Sequence, residues 1–372
     1  MKLQLQNACV LLPDGEWAQN CPVTLENGAI LAVGEQIEAD QTIDLAGKLL
    51  LPGLLDMHTH GRAGFDFTSA TEEQMRRMKK DYAAHGVTTL FPTLASATAE
   101  EWVTAIDRIQ TVGFDGIHFE GRYLNPLRRG AHAPELLVAP NPADLAFFLD
   151  QTSLPVHLSA AFELDNDGAF AALAVSRGAT LALGHTDSTF EQAQLAISRG
   201  VTCFTHLFNA MRPLHHRSGG AVAAALTGDQ YAELIVDGLH IAPEMVKLVY
   251  RIKGSEKLIL ITDSMSATGC PDGNYAIAGQ PVTVRKGRAE TPDGKLAGST
   301  LNLWDAVKNL MVFAGASLSE AVLCATRNPA RALGIAERVG AIAPGRRADL
   351  LAVTQDLIID TVFAAGEKIK PV

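Results

Sequence analysis

Between positions 54 and 264, short apolar runs alternate with longer stretches in which apolar residues recur every three or four positions. The runs are "LLDMHTH" (54–60), "GVTTLFPTL" (86–94), "GIHFEG" (116–121), "LPVHLSAAF" (154–162), "ATLALGHTD" (179–187), "VTCFTHLFN" (201–209), "AELIVDGLH" (232–240) and "KLILITDS" (257–264). Each reads as a strand. Helical periodicity fills 71–86, 99–110, 142–150, 167–178, 188–200 and 242–254; the first of these opens with Thr71 and Gln74 at capping-box spacing and stops at Gly86. Eight strands alternating with helices predict a TIM-like (β/α)8 barrel, and no GxGxxG follows the first strand to favour a doubly wound sheet.

The two ends of the chain follow a different pattern. Residues 1 to about 52 read as short strands with turns at "PDGE" and "ENGA", and 341–369 repeats that style. We therefore expect a small β-sandwich domain built from 1–52 and 338–372, flanking a catalytic barrel over 53–337. The Gly- and Pro-punctuated stretch 269–300 reads as a hairpin insertion after the eighth strand, placed to cover the barrel mouth.

Composition narrows the function classes. The 372 residues are 47% hydrophobic and 19% charged, with no run of apolar residues long enough to span a bilayer. The opening residues lack the pattern of a secretory signal, and the five cysteines are scattered without a CxxC pair. A soluble, cytoplasmic protein is expected, without a disulfide framework or a thiolate zinc site. A net charge of −10 and the lack of any Lys/Arg run argue against nucleic acid as a partner, and the lack of an apolar span against a membrane. An anionic substrate would need local positive groups.

Barrel enzymes place their chemistry at the C-terminal ends of the strands. His58 and His60 end the first predicted strand, Glu120 the third, His185 the fifth, His206 the sixth, His240 the seventh and Asp263 the eighth. Residues two apart on a strand share a face, so His58 and His60 point into one pocket. Taken singly, a histidine on an apolar strand is ordinarily a core residue. Together, five imidazoles and two carboxylates at the ends of six strands form a donor set suited to zinc, iron or a related divalent metal. Such a metal requires a group to move the proton of the attacking water, and Asp263 in "ITDSMSATG" is the candidate. Its alternative role, a helix N-cap, is weak because Gly269 and Pro271 soon interrupt any helix. No GxSxG elbow supports a serine hydrolase.

The segments "LPGLLDMHTHG", "GHTDS", "THLFNAM", "DGLH", "TDSMSATG" and "GRRADLLAV" resemble the amidohydrolase superfamily, and within it the N-acetylglucosamine-6-phosphate deacetylase family. The resemblance spans nearly the whole chain. It implies a metal-dependent barrel with a small β domain, a homodimer, and removal of acetate from an amino sugar phosphate. It makes Glu120, His185 and His206 ligands of the principal metal, zinc or iron, and Asp263 the general base and then general acid. His58 and His60 match a pair that supports a second ion in some members, giving one or two ions per subunit. By the same resemblance His240 contacts the sugar and the reacting carbonyl, His132 contacts substrate, and Asn209 and the Ala210 backbone contact phosphate. Arg217 is then also a phosphate contact, reaching into the neighbouring subunit's site.

Two departures from the family pattern lie near the sugar and phosphate region. "HFEGRY" places Arg122 where an acidic-Gly-Pro step is usual, and "RPLHHRSGG" has Ser218 and Gly219 where a Glu-Pro pair is common. Arg122 is either a further phosphate contact or an ordinary ion-paired arginine. The alternative substrates are N-acetylgalactosamine 6-phosphate and an unphosphorylated acetyl amino sugar. A cyclic-amide hydrolase is disfavoured because "LPVHLSAAFE" offers no lysine to bridge two metals. A catalytically silent barrel is disfavoured because Glu120, His185, His206 and Asp263 are all present.

Overall fold

The computed structural model describes residues 1–371. Eight parallel strands form one sheet in sequence order: β1 (Leu54–Thr59), β2 (Val87–Leu94), β3 (Ile117–Glu120), β4 (Val156–Ala160), β5 (Thr180–Leu183), β6 (Val201–Phe204), β7 (Tyr231–Ile235) and β8 (Leu258–Ile261). The sheet closes on itself where β8 meets β1: the Asp263 N–H donates to the His58 carbonyl at 2.9 Å, and the His60 N–H to the Ser264 carbonyl at 2.8 Å. The (β/α)8 expectation is correct. All eight strands are shorter than the apolar runs suggested. His185, His206, His240 and Asp263 lie beyond the last paired residue, on the loops that leave the sheet.

Side chains latch the same seam. Asp56, fully buried on β1, accepts the Thr262 hydroxyl at 2.6 Å, with the His58 and Thr262 N–H groups at 3.3 and 3.4 Å. Thr59 and Ser264 join hydroxyls across it at 2.8 Å, and the Tyr82 hydroxyl donates to the Gly61 carbonyl at 3.0 Å.

The first helix, Glu72–Ala84, carries the expected Thr71–Gln74 capping box, and boxes at Thr98–Glu101, Thr189–Gln192 and Ser317–Glu320 open three more. The sequence pattern did not reveal Gly220–Thr227, the helix after β6. Its "GAVAAALT" is nearly all apolar and nearly all buried, so it has no polar face to generate a period. After β8 the chain forms Leu303–Ala314, Leu318–Cys324 and Arg327–Ala332. No helix among the described residues is long and apolar enough to cross a membrane.

Both chain ends enter one six-stranded sheet, in which Leu350–Val353 pairs antiparallel with Leu49–Pro52. A four-stranded sheet containing Lys2–Gln6, Val23–Glu26, Ala29–Val33 and Gln41–Asp44 faces it. Leu5, Val10, Val23, Leu25, Leu50, Leu350 and Phe363 fill the layer between them. The "ENGA" turn places Asn27 and Gly28 at φ 50° and 80°, the left-handed pair that a two-residue hairpin requires. The stretch after β8 forms a three-stranded antiparallel sheet (Gly273–Ile277, Gln280–Arg285, Arg288–Glu290) with its own small core.

The seam generates a prediction. Asp56→Ala leaves the Thr262 hydroxyl without its buried acceptor and is expected to cost about 2–3 kcal/mol. Chemical denaturation checks this, and an unchanged midpoint would remove Asp56 from barrel closure.

Candidate metal centre and active site

Glu120, the last residue of β3, sits with 1% exposure between two pairs of imidazoles. Its Oε1 lies 3.1 Å from His185 Nε2 and 3.0 Å from His206 Nε2, and those two nitrogens are 3.1 Å apart. Its Oε2 lies 2.9 Å from His60 Nε2 and 3.3 Å from His58 Nε2. Asp263 Oδ1 closes the second group, 3.2 Å from His60 Nε2 and 3.6 Å from His58 Nε2. Six of the seven strand-end residues thus form two donor groups that share one carboxylate; His240 is not among them and pairs with Asp237 instead.

These separations fit divalent ions. A tetrahedral ion with bonds of about 2.0–2.1 Å spaces its ligand atoms by about 3.3 Å. Glu120, His185 and His206 form such a triangle, and His58, His60 and Glu120 form another. The buried Nε2 of His58 has no hydrogen-bond partner among the described residues, which leaves that atom available to an ion. His185 is turned the same way, because its Nδ1 meets the Arg128 carbonyl at 2.9 Å and leaves Nε2 for the pocket.

The electrostatics agree. Burial opposes ionisation of Glu120, but the His58 charge and the hydrogen bonds from His185 and His206 outweigh it and hold the carboxyl well below its usual range. Burial likewise opposes charge on His60, yet contacts with Asp263 and Glu120 push it up to about 9. The carboxylates therefore draw positive charge to this spot, as protons on imidazole or as a cation. His132 behaves oppositely: burial, aided by His185, takes it down to about 3, so it stays neutral.

The backbone needed to present these groups is unusual. His185, His206 and Asp263 have φ of 46°, 28° and 49°, and Phe208 and Ala210 have 77° and 51°. Left-handed non-glycine residues cost about 1–3 kcal/mol each and gather where a site over-determines them. Gly121 and Gly130 permit the close packing. A Cβ at 121 would stand 2.4 Å from the Ser96 nitrogen, and one at 130, at φ 58°, would stand 3.1 Å from the His185 ring.

A cavity of about 460 Å³ opens above the donors. His132, Asn209, Ala210 and His240 line it, beside the cations Arg128, Arg129 and Lys295. His240 is fixed by Asp237, whose Oδ2 lies 2.6 Å from Nδ1, leaving Nε2 for a ligand. The insertion supplies Ile277, Ala278 and 295–298 to the wall, so it does cover one side of the mouth.

Two arginines lie elsewhere. Arg122 is folded back into the protein, 3.3 Å from Asp144 and 5.1 and 5.9 Å from the Phe148 and Trp102 ring centres, so it is a structural ion-paired residue rather than a phosphate contact. Arg217 is exposed, 2.9 Å from His216 Nε2, and does not line this chain's own cavity. Gly219 precedes the helix Gly220–Thr227, where a Cβ would stand 2.4 Å from that of Ala223. This packing accounts for a glycine at that departure.

Sequence reasoning missed Asp237, although the "DGLH" spacing puts it one turn from His240. It also missed His118, His157 and Glu233, which lie fully buried beneath the donors. The signal for these was available, since each is a polar residue interrupting an apolar strand.

Comparison with known proteins agrees with this geometry. The profile of the amidohydrolase family matches residues 49–369. The N-acetylglucosamine-6-phosphate deacetylase of Vibrio furnissii is 33% identical over 94% of this chain and 91% of its own. The N-acetylgalactosamine-6-phosphate deacetylase of Escherichia coli O157:H7 is 32% identical over 96% of this chain and 97% of its own. Among solved structures, a mutant N-acetyl-D-glucosamine-6-phosphate deacetylase from Mycobacterium smegmatis, in complex with N-acetyl-D-glucosamine-6-phosphate, superposes with a TM-score of 0.91 at 34% identity, covering 99% of both chains. The N-acetylglucosamine-6-phosphate deacetylase from Pasteurella multocida gives a TM-score of 0.93 at 28% identity, again over 99% of both chains. With its barrel, its shared glutamate and these full-length likenesses, the chain belongs to the amidohydrolase family.

Proposed function

We propose that this chain is a divalent-metal-dependent hydrolase that removes acetate from N-acetylglucosamine 6-phosphate, leaving glucosamine 6-phosphate. The observation that carries this reading is Glu120 shared between two imidazole pairs, with Asp263 at the edge of the same cavity. The full-length deacetylase relatives support the substrate class. Glu120, His185 and His206 hold the principal ion, and His58 and His60 complete a second position on Glu120. The neutral-imidazole and carboxylate donors suit zinc first and iron second.

An ion held there supplies Lewis acidity toward the acetyl carbonyl and lowers the pKa of water to about 7. Asp263 stays ionised although burial opposes it, because the His60 contact outweighs burial, so it is ready to accept a proton. It takes the proton of the attacking water as the carbonyl carbon becomes tetrahedral. It returns that proton to the amine nitrogen as the C–N bond breaks. His240, oriented by Asp237, donates a hydrogen bond to the carbonyl oxygen where negative charge develops. Neutral His132 and the Asn209–Ala210 segment position the sugar and its phosphate. Exposed Arg217 reaches the site of the neighbouring subunit in a homodimer, and the enzyme works as a soluble cytoplasmic protein.

Acetate release by the zinc-loaded protein tests this reading directly. N-acetylglucosamine 6-phosphate is expected to outperform its galacto epimer and the unphosphorylated sugar, and Arg217→Ala is expected to raise KM about tenfold for the phosphorylated substrate alone. Preference for the unphosphorylated sugar would overturn the phosphate assignment, and preference for the epimer would place the chain with its galactosamine relatives. Asp263→Asn is expected to keep its metal while kcat falls by about 10²–10⁴. Near-normal turnover in that variant would remove Asp263 from the proton transfers.

A further inference from the structure

Barrel interiors are ordinarily filled by layers of branched apolar side chains. Below the metal donors of this barrel the layer is polar. His118, His157, Ser159, Thr205 and Glu233 are all fully buried. His118 reaches Ser159 Oγ at 2.7 Å through Nε2 and Thr93 Oγ1 at 3.0 Å through Nδ1, and Ser159 meets the Thr205 hydroxyl at 2.7 Å. Glu233, the middle residue of β7, is the least expected member, because an ionised carboxylate here carries a desolvation penalty of several kcal/mol.

The contacts of Glu233 indicate its use. Its Oε2 lies 3.1 Å from His58 Nδ1 and accepts the backbone N–H of His206, also at 3.1 Å. Its Oε1 lies 3.4 Å from His157 Nε2, and His157 Nδ1 is held 2.8 Å from the Thr180 hydroxyl. Neither Glu233 nor His157 lines the substrate cavity. His58 thus stands between two carboxylates, with Glu233 at Nδ1 and Glu120 at Nε2, 3.3 Å away. A neutral imidazole has one N–H to give. If Glu120 takes it, Nε2 has no lone pair for an ion. If Glu233 takes it, Nε2 is a metal ligand.

We infer that Glu233 is a positioning residue for the metal centre: it holds His58 in the Nδ1–H tautomer with the Nε2 lone pair toward Glu120, and anchors the backbone from which His206 projects. The inference rests on the metal reading given above. His157 Nε2 stands beside the second oxygen of Glu233 at 3.4 Å without a hydrogen bond to it. His185 receives the equivalent service from the Arg128 carbonyl. Burial, reinforced by the Glu233 charge, pushes the nearby Cys203 thiol well above its ordinary range.

The test uses zinc-loaded protein carrying ¹⁵N-histidine. Long-range ¹H–¹⁵N spectra of the wild type are expected to show His58 protonated at Nδ1 and unprotonated at Nε2. Zinc affinity is then measured by chelator competition. Glu233→Leu removes the acceptor and is expected to weaken zinc binding about 10–100-fold. Glu233→Gln keeps an acceptor oxygen and is expected to stay within about tenfold of the wild type. A wild-type His58 carrying its proton on Nε2, or a Glu233→Leu variant with unchanged zinc affinity, overturns the inference while the metal reading stands. The wild-type spectrum decides the matter if the leucine variant does not fold. A wild-type chain that takes up no divalent ion overturns the metal reading and the inference together.

Discussion

One buried carboxylate, shared between two pairs of imidazoles, sets the constraint on which the barrel mouth is built. Glu120 needs positive charge or donated hydrogen bonds on both oxygens, since an unpaired carboxylate at 1% exposure would be prohibitively destabilising. His185 and His206 serve one oxygen and His58 and His60 the other. These four residues come from the ends of three different strands. Only a closed barrel brings them to a single point, and the closing hydrogen bond runs from the Asp263 N–H to the His58 carbonyl. The residues that close the barrel are therefore also residues of the site.

Two features follow from that constraint. The strands end early and the chain turns through left-handed φ at His185, His206 and Asp263, which present their side chains from the loops, while His58 and Glu120 reach the same point from the strands themselves. The interior beneath is polar, and two of the four imidazoles have an acceptor at the nitrogen turned away from the pocket. The Arg128 carbonyl supplies it at His185 and Glu233 at His58.

The eight strands were legible as apolar runs, and the candidate metal donors and Asp263 because six of those runs end in residues of metal-binding type. The resemblance added His132, Asn209 and Ala210 and gave His240 its substrate role, and all four line the cavity. Strand ends were drawn too long, since an apolar run does not show where hydrogen bonding stops. The helix Gly220–Thr227 was invisible because a uniformly apolar segment has no period. Arg122 was ambiguous because its partners, Asp144, Trp102 and Phe148, lie 20 to 26 positions away and meet it only in the fold. Glu233 was visible as a polar residue in an apolar run, but its partners were not, as they sit on β1, β4 and the loop after β6.

The central claim is that Glu120 organises a divalent-metal centre. Anomalous diffraction from crystals of the zinc-loaded protein, recorded on either side of the zinc edge, tests it most directly. The account predicts a peak about 2.0–2.2 Å from Glu120 Oε1 and from the Nε2 atoms of His185 and His206. Zinc bound elsewhere, with these three residues still held to one another by hydrogen bonds, would contradict it.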